Sequence, residues 1–286
     1  MHRYRLCAMV AVVKERDAMD EIALAPYRVE AYNTAHFSEN KIHDDEVARR
    51  YGFSGGLVPG VDVYAYMTHA ALTRWGRGWL ERGRAECRFV KPVYEGETAT
   101  VTAVESGSGL AITVESRGET CATGTASMTD APAAPKLEDF SEARPPTVRP
   151  AADEQTLKPG TRLGIAPFRL TAEFAAQYLR EVRESEPMYA REGLVHPGTI
   201  LRLCNWALAQ NVVLGPWIHV GSKLQNFAAA RVGDELTMRA RVTDNYEHKG
   251  HRFVELDALA IANGRTALAR IAHTAIYRPR QVDAAA

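Results

Sequence analysis

The chain has 286 residues, 46% apolar and 24% charged, and its 35 basic side chains balance 35 acidic ones. This length allows one large domain or two of about 130 residues, and the composition excludes a disordered chain. The charge balance argues against a nucleic-acid footprint or attraction to anionic lipid, which leaves a small molecule as the expected partner.

Cys7, Cys87, Cys121 and Cys204 are scattered with no Cys-x-x-Cys pair, so reduced thiols and a cytoplasmic compartment are expected. The apolar run 6–13 is followed at once by Lys14-Glu15-Arg16-Asp17 and reads as neither a signal peptide nor a membrane span. Residues 27–35 form the first strand candidate, and a short helical piece follows at 45–50. Gly56-Leu57-Val58-Pro59-Gly60 then opens an apolar stretch, 61–75, whose length suits a buried helix ending at Gly76. His69 within it is expected to be a hydrogen-bonded core residue. Residues 84–90, 98–104 and the alternating Leu110, Ile112, Val114 give half-buried strands, with a hairpin near Gly118-Glu119.

Six of the 14 prolines fall within 131–161, which reads as a linker between unit 1–130 and unit 162–286. The second unit repeats the first imperfectly. Residues 172–183 form a helix capped by Thr171. Gly193-Leu194-Val195-His196-Pro197-Gly198 opens the apolar stretch 199–214. Strands follow at 222–228 and 235–242, with a tight hairpin at Lys249-Gly250. No counterpart of the first unit's short helix is expected before Gly193. Each sheet needs its apolar face covered, and the long helix is the element available. The expected fold is α+β, with two antiparallel sheets each wrapped around a long central helix.

Asn40-Lys41-Ile42-His43-Asp44-Asp45, with Gly52-Phe53, Leu57-Val58-Pro59-Gly60 and the later Pro92-Val93-Tyr94-Glu95-Gly96-Glu97, resembles the MaoC-like, (R)-specific enoyl-CoA hydratase group of double hotdog proteins. The resemblance implies addition of water to an enoyl thioester, or the reverse, with no dissociable cofactor and with coenzyme A as part of the substrate. It implies His43 as acid or base and the Gly60 backbone N–H as oxyanion donor. Asn40 would orient the loop, and Asp45 would be the motif's trailing acid. Such roles suit the chemistry, since an imidazole is poised near neutral pH and a helix N-terminus stabilises enolate charge.

The motif's catalytic Asp is here Ser38 and its proline is Lys41, so Glu39 and Asp44 are the nearest substitute acids. Asp45, Phe53, Val58, Pro59, Tyr64, Tyr189 and Trp206 are expected at the substrate site, with Met188 and Trp217 as further candidates. Tyr189 stands where the second unit lacks the imidazole. Arg84, with Arg74, Arg77 and Arg82, either receives coenzyme A phosphates or forms a solvated connection. His248 and His251 flank a hairpin without a carboxylate to complete a metal site, so no metal is expected. The partners expected are an acyl-CoA and a second copy of the chain, with no nucleic acid and no membrane. Two other readings remain on these residues: a thioesterase on the same scaffold, or a catalytically lapsed acyl-CoA-binding protein.

Overall fold

The computed structural model describes residues 22–281; Cys7 and the run 6–13 lie outside the described residues. The first unit comprises β1 (Tyr27–Glu30), α1 (Asp45–Arg49), α2 (Gly60–Trp75), α3 (Arg77–Arg82), β2 (Gly83–Phe89), β3 (Thr98–Ser106), β4 (Gly109–Ser116) and β5 (Glu119–Met128). The second comprises β6 (Arg162–Gly164), β7 (Phe168–Arg169), α4 (Ala172–Glu181), α5 (Met188–Glu192), α6 (Pro197–Ala209), β8 (Ile218–Asn226), β9 (Glu235–His248), β10 (His251–Ala262) and β11 (Thr266–Arg278).

Strand order in the first unit is β1-β3-β4-β5-β2, and in the second β6-β9-β10-β11-β8, the same winding repeated. The two antiparallel half-sheets join edge to edge where β2 pairs β8, from Arg84↔Gln225 to Arg88↔Gly221. This pairing removes one exposed edge from each unit. The central helices α2 and α6 lie against the sheet's inner face and pack on each other. Helix α2 is buried nearly all round, as its apolar composition requires, and stops at Gly76, whose φ of +57° suits glycine and whose N–H caps Leu72. Lys249 and Gly250 both have positive φ, so they form the tight hairpin between β9 and β10 that the sequence predicts. No helix of the described residues is long and apolar enough to cross a membrane.

Several expectations are corrected. Helix α6 ends at Ala209 instead of reaching residue 214, because Val213 pairs with the backbone of the 131–161 segment: its N–H donates to the Pro150 carbonyl at 2.7 Å. A short helix, α5, does precede Gly193; Pro187 supplies a preset φ at its start and Gly193 a left-handed stop at φ +61°. Helix α3 was not foreseen. Strand β1 ends at Glu30 instead of 35. Residues 258–262 of β10 are buried throughout. Leu137 and Phe140 of the 131–161 segment cover Leu259 and Ile261 on the face away from the helices, so this half of the sheet has apolar residues on both sides.

Candidate active site

The loop before α1 is pinned by one side chain. Asn40 accepts from Ile42 N at 3.3 Å and from Trp217 N at 3.1 Å, and its Nδ2 donates to the Trp217 carbonyl at 2.9 Å. The first unit's loop is thereby fixed to the start of β8 in the second. Two backbone donors on Oδ1 settle the orientation of the amide. Nδ2 therefore faces His43 Nε2 as a donor, at 3.2 Å. His43 Nδ1 lies 2.7 Å from the Leu57 carbonyl, which only accepts, so Nδ1 carries the proton and Nε2 is unprotonated, its lone pair accepting from Asn40 Nδ2. Desolvation pulls the His43 pKa below its ordinary value, partly offset by the bond to Leu57. Part of the ring still reaches the cavity surface. At neutral pH His43 is a base with a defined tautomer.

Two cavities meet at this ring. An outer one of about 390 Å³ is lined by Phe37, Arg149, Arg202, Trp206 and Gln210. An inner one of about 280 Å³ is mainly apolar, with Phe53, Leu57, Val58, Val63, Phe89 and Ile276 in its wall. Asn40, His43, Pro59, Asn205 and Trp217 belong to both. Helix α2 starts at this junction, with Gly60 on the inner cavity and Val61 on the outer. Among the described residues the amides of Gly60 and Val61 donate to nothing, whereas those of Asp62 and Val63 bond to the Pro59 carbonyl. Open first-turn amides at the positive end of a 16-residue helix form an anion-stabilising donor set. A Cβ on Gly60 would come within 3.0 Å of both His219 Nδ1 and Phe89 Cε2, so this close approach depends on glycine.

The expected substitute acids are elsewhere. Glu39 is 78% exposed and pairs with Arg149 at 2.9 Å, and that guanidinium also donates to the Ala209 carbonyl. Asp44 caps α1 by accepting from the amides of Glu46 and Val47. Asp45, the motif's trailing acid, accepts from Gly56 N at 2.7 Å and so holds the glycine loop, and it lines neither cavity. Ser38 Oγ accepts from Asn40 N, a turn contact. Among the described residues no carboxylate hydrogen-bonds the His43 ring, whose partners are Asn40 and the Leu57 carbonyl.

Of the expected lining residues, Phe53, Val58, Pro59, Trp206 and Trp217 do face the cavities. Tyr64 does not: helical periodicity turns it from Val63 into the core beside Trp79 and Ala85. Tyr189 and Met188 are buried in the core, with the Tyr189 ring 5.2 Å from that of His196. Arg84 lies exposed on β2, facing a surface groove away from His43. Arg74 and Arg77 are engaged by Glu105, Glu81 and Glu192. The arginine cluster is a solvated connection. His69 bonds to Glu184 at 3.1 Å, as the core reading requires.

Sequence reasoning missed Asp62 and Arg202. Asp62 is fully buried and saturated, taking Arg202 at 2.8 Å, Tyr178 hydroxyl at 3.0 Å and Thr34 hydroxyl at 2.6 Å. The pair ties α2 to α6 beneath the outer cavity. A lone acid in the first turn of an apolar helix was the available signal.

This winding of strands around two central helices is the double hotdog fold. A protein assigned as a MaoC domain dehydratase from Chloroflexus aurantiacus J-10-fl matches it with a TM-score of 0.59 at 13% identity, over 91% of this chain and 95% of that one. A conserved hypothetical protein from Mycobacterium tuberculosis with a double hotdog fold matches with a TM-score of 0.60 at 13% identity, over 88% and 95%. A protein assigned as an oleoyl thioesterase from Lactobacillus plantarum matches with a TM-score of 0.51 at 10% identity, over 92% and 99%. No family model and no curated protein matches the sequence. The chain is thus a double hotdog protein, with the fold that MaoC-like dehydratases and hotdog thioesterases share.

Proposed function

We propose that this chain is an enzyme acting on acyl thioesters, adding water across the double bond of an (R)-specific enoyl-CoA hydratase substrate or removing it in reverse. The observation that carries the reading is the unprotonated Nε2 of His43, oriented by Asn40, at the junction of two cavities beside the open amides of Gly60 and Val61. The mainly apolar inner cavity suits an acyl chain, and the outer one suits the carrier arm of coenzyme A. Nε2 takes a proton from water as its oxygen bonds to C3. The thioester oxygen gathers enolate charge, which the helix amides stabilise without reorganising. The imidazolium then returns its proton to C2 on the same face, so one base serves both transfers and no second acid is required.

A second reading is favoured by the absence of a carboxylate at His43. The same base and donor set would direct water at the carbonyl carbon, and the thiolate leaves: thioester hydrolysis. Incubation with crotonyl-CoA and longer enoyl-CoAs separates the readings. Loss of enoyl absorbance supports hydration, release of free thiol supports hydrolysis, and binding without either supports a lapsed enzyme. The proposal includes a homodimer in the cytoplasm. The free edges β1 and β6 are only 4 and 3 residues long, so pairing through other surfaces than strand addition is expected, with light scattering as the check.

A further inference from the structure

The start of β8 carries buried polar groups that the reaction above does not use. His219 is 6% exposed, lines the inner cavity and stands beside Gly60. Its Nε2 lies 2.9 Å from Ser222 Oγ, which lies 3.0 Å from His273 Nδ1 on β11. The two rings stack with centroids 4.2 Å apart. Strand alternation alone would put residues 219 and 222 on opposite faces. A bulge prevents this: Gly221 pairs Thr274 while His219 pairs Ala275, so Val220 is the extra residue and His219 turns inward with Ser222. Bulges of this kind re-aim side chains beside functional sites.

Both ends of the array lack a hydrogen-bond partner among the described residues, at His219 Nδ1 and His273 Nε2. His219 Nδ1 lies 3.0 Å from the position of a Cβ on Gly60, against the open turn of α2. The single Ser222 proton decides the tautomers. Donated to His273, it leaves a buried orphan N–H on that ring. Donated to His219 Nε2, it leaves a bare lone pair on His273 Nε2 and places an N–H at His219 Nδ1, which likewise has no acceptor among the described residues. Each arrangement therefore leaves one unpartnered N–H, and a carbonyl oxygen bound beside Gly60 favours the second, the one in which it satisfies that donor. Desolvation keeps both rings neutral, lowering the His273 pKa to about 3 and that of His219 well below its ordinary value. A neutral imidazole can serve as an electrophilic donor.

We infer that His219 is a further substrate-contacting residue, whose Nδ1–H joins the open amides of Gly60 and Val61 in binding the thioester carbonyl oxygen, with Ser222 and His273 as positioning residues that hold this tautomer once the oxygen is bound. This rests on the reading that the cavities take an acyl thioester. It does not depend on the choice between hydration and hydrolysis, because both reactions build charge on that oxygen.

The test compares His219→Asn, whose amide reaches about as far as Nδ1, with His219→Gln, whose amide reaches about as far as Nε2. His219→Gln is expected to lose about 100-fold or more in kcat with little change in KM, and His219→Asn to stay within about tenfold of the wild type. The carbonyl stretch of a bound saturated acyl-CoA should move to higher frequency in His219→Gln and return in His219→Asn. If His219→Gln does not fold, Ser222→Ala serves: it keeps the ring but frees the tautomer, with an expected loss of about tenfold in kcat and a partial shift of the stretch. A bound thioester whose turnover and stretch are the same in these variants as in the wild type overturns the role of His219 and leaves the function standing. Failure of the wild type to bind any acyl thioester overturns the function, and the role of His219 with it.

Discussion

The two central helices begin with similar sequences and end chemically opposite. At Val58-Pro59-Gly60 the first-turn amides of α2 are open to two cavities. At Val195-His196-Pro197-Gly198 every such position of α6 is filled. His196 Nδ1 accepts from Gly198 N at 3.1 Å, Pro197 has no N–H, and the Tyr178 hydroxyl occupies the space a Cβ on Gly198 would need. A helix N-terminus is a donor set in both units; it becomes a candidate site only where the chain leaves it uncapped. Open donors cost stability, and the first unit alone carries that cost.

Removing the base should break the comparison most strongly. His43→Ala is expected to lower kcat/KM by about 10²–10⁴-fold in the enoyl-absorbance or thiol-release assay. Retained turnover would dismiss the open end as the reactive one. A paired substitution comes next. In Gly60→Ala the new methyl meets His219 and Phe89 at 3.0 Å, so turnover should fall by about tenfold with little change in melting temperature. In Gly198→Ala it collides with Tyr178 inside the core. That change should lower stability by about 1–3 kcal/mol, a shift of several degrees, while turnover per folded molecule is kept. The opposite pattern would exchange the roles of the two helices.

Acidification tests the comparison by a different route. The His43 pKa lies below 6.5, so kcat/KM should be flat at neutral pH and fall only on the acid side of 6.5 as Nε2 is protonated. The buried His219 and His273 also titrate low, and the unfolded chain takes up their protons first. Their contribution to stability is therefore complete above 6.5 and is lost as pH falls toward about 3 for His273. The expected slope is about 1.4 kcal/mol per pH unit for each ring. Urea unfolding across this range measures it, and a slope of the other sign would mean that the rings are charged in the fold. The smallest effect is expected at Glu39, whose bond to Arg149 is solvent-exposed. Glu39→Gln should change turnover by less than about twofold and stability by less than about 1 kcal/mol. A tenfold loss of turnover would return Glu39 to the role of the missing acid.

Much of this was legible because it is local. Apolar period, the glycine stop and the hairpin dipeptides placed α2 within one residue of its start and set both meanders in order. The proline-rich segment was visible by composition, but its cover over Leu259 and Ile261 was not, since a short Leu137–Asp139 turn gives no sign of what it lies on. Helix α5 was missed because five residues show no periodicity. Tyr64 and Tyr189 were misassigned to the cavity because sequence position ranks residues near a motif without saying which face of a helix turns toward it.

Alone, the sequence determined the repeated unit, the central helices and the loop that carries His43, because hydrophobic spacing and turn chemistry act over a few residues. Which helix end stays open, where Asp62 and Arg202 meet, and how a one-residue bulge brings His219 to Gly60 were decided only by the packing of the two units. Those contacts join residues from about 140 to 160 positions apart, a distance over which no local pattern constrains the partner.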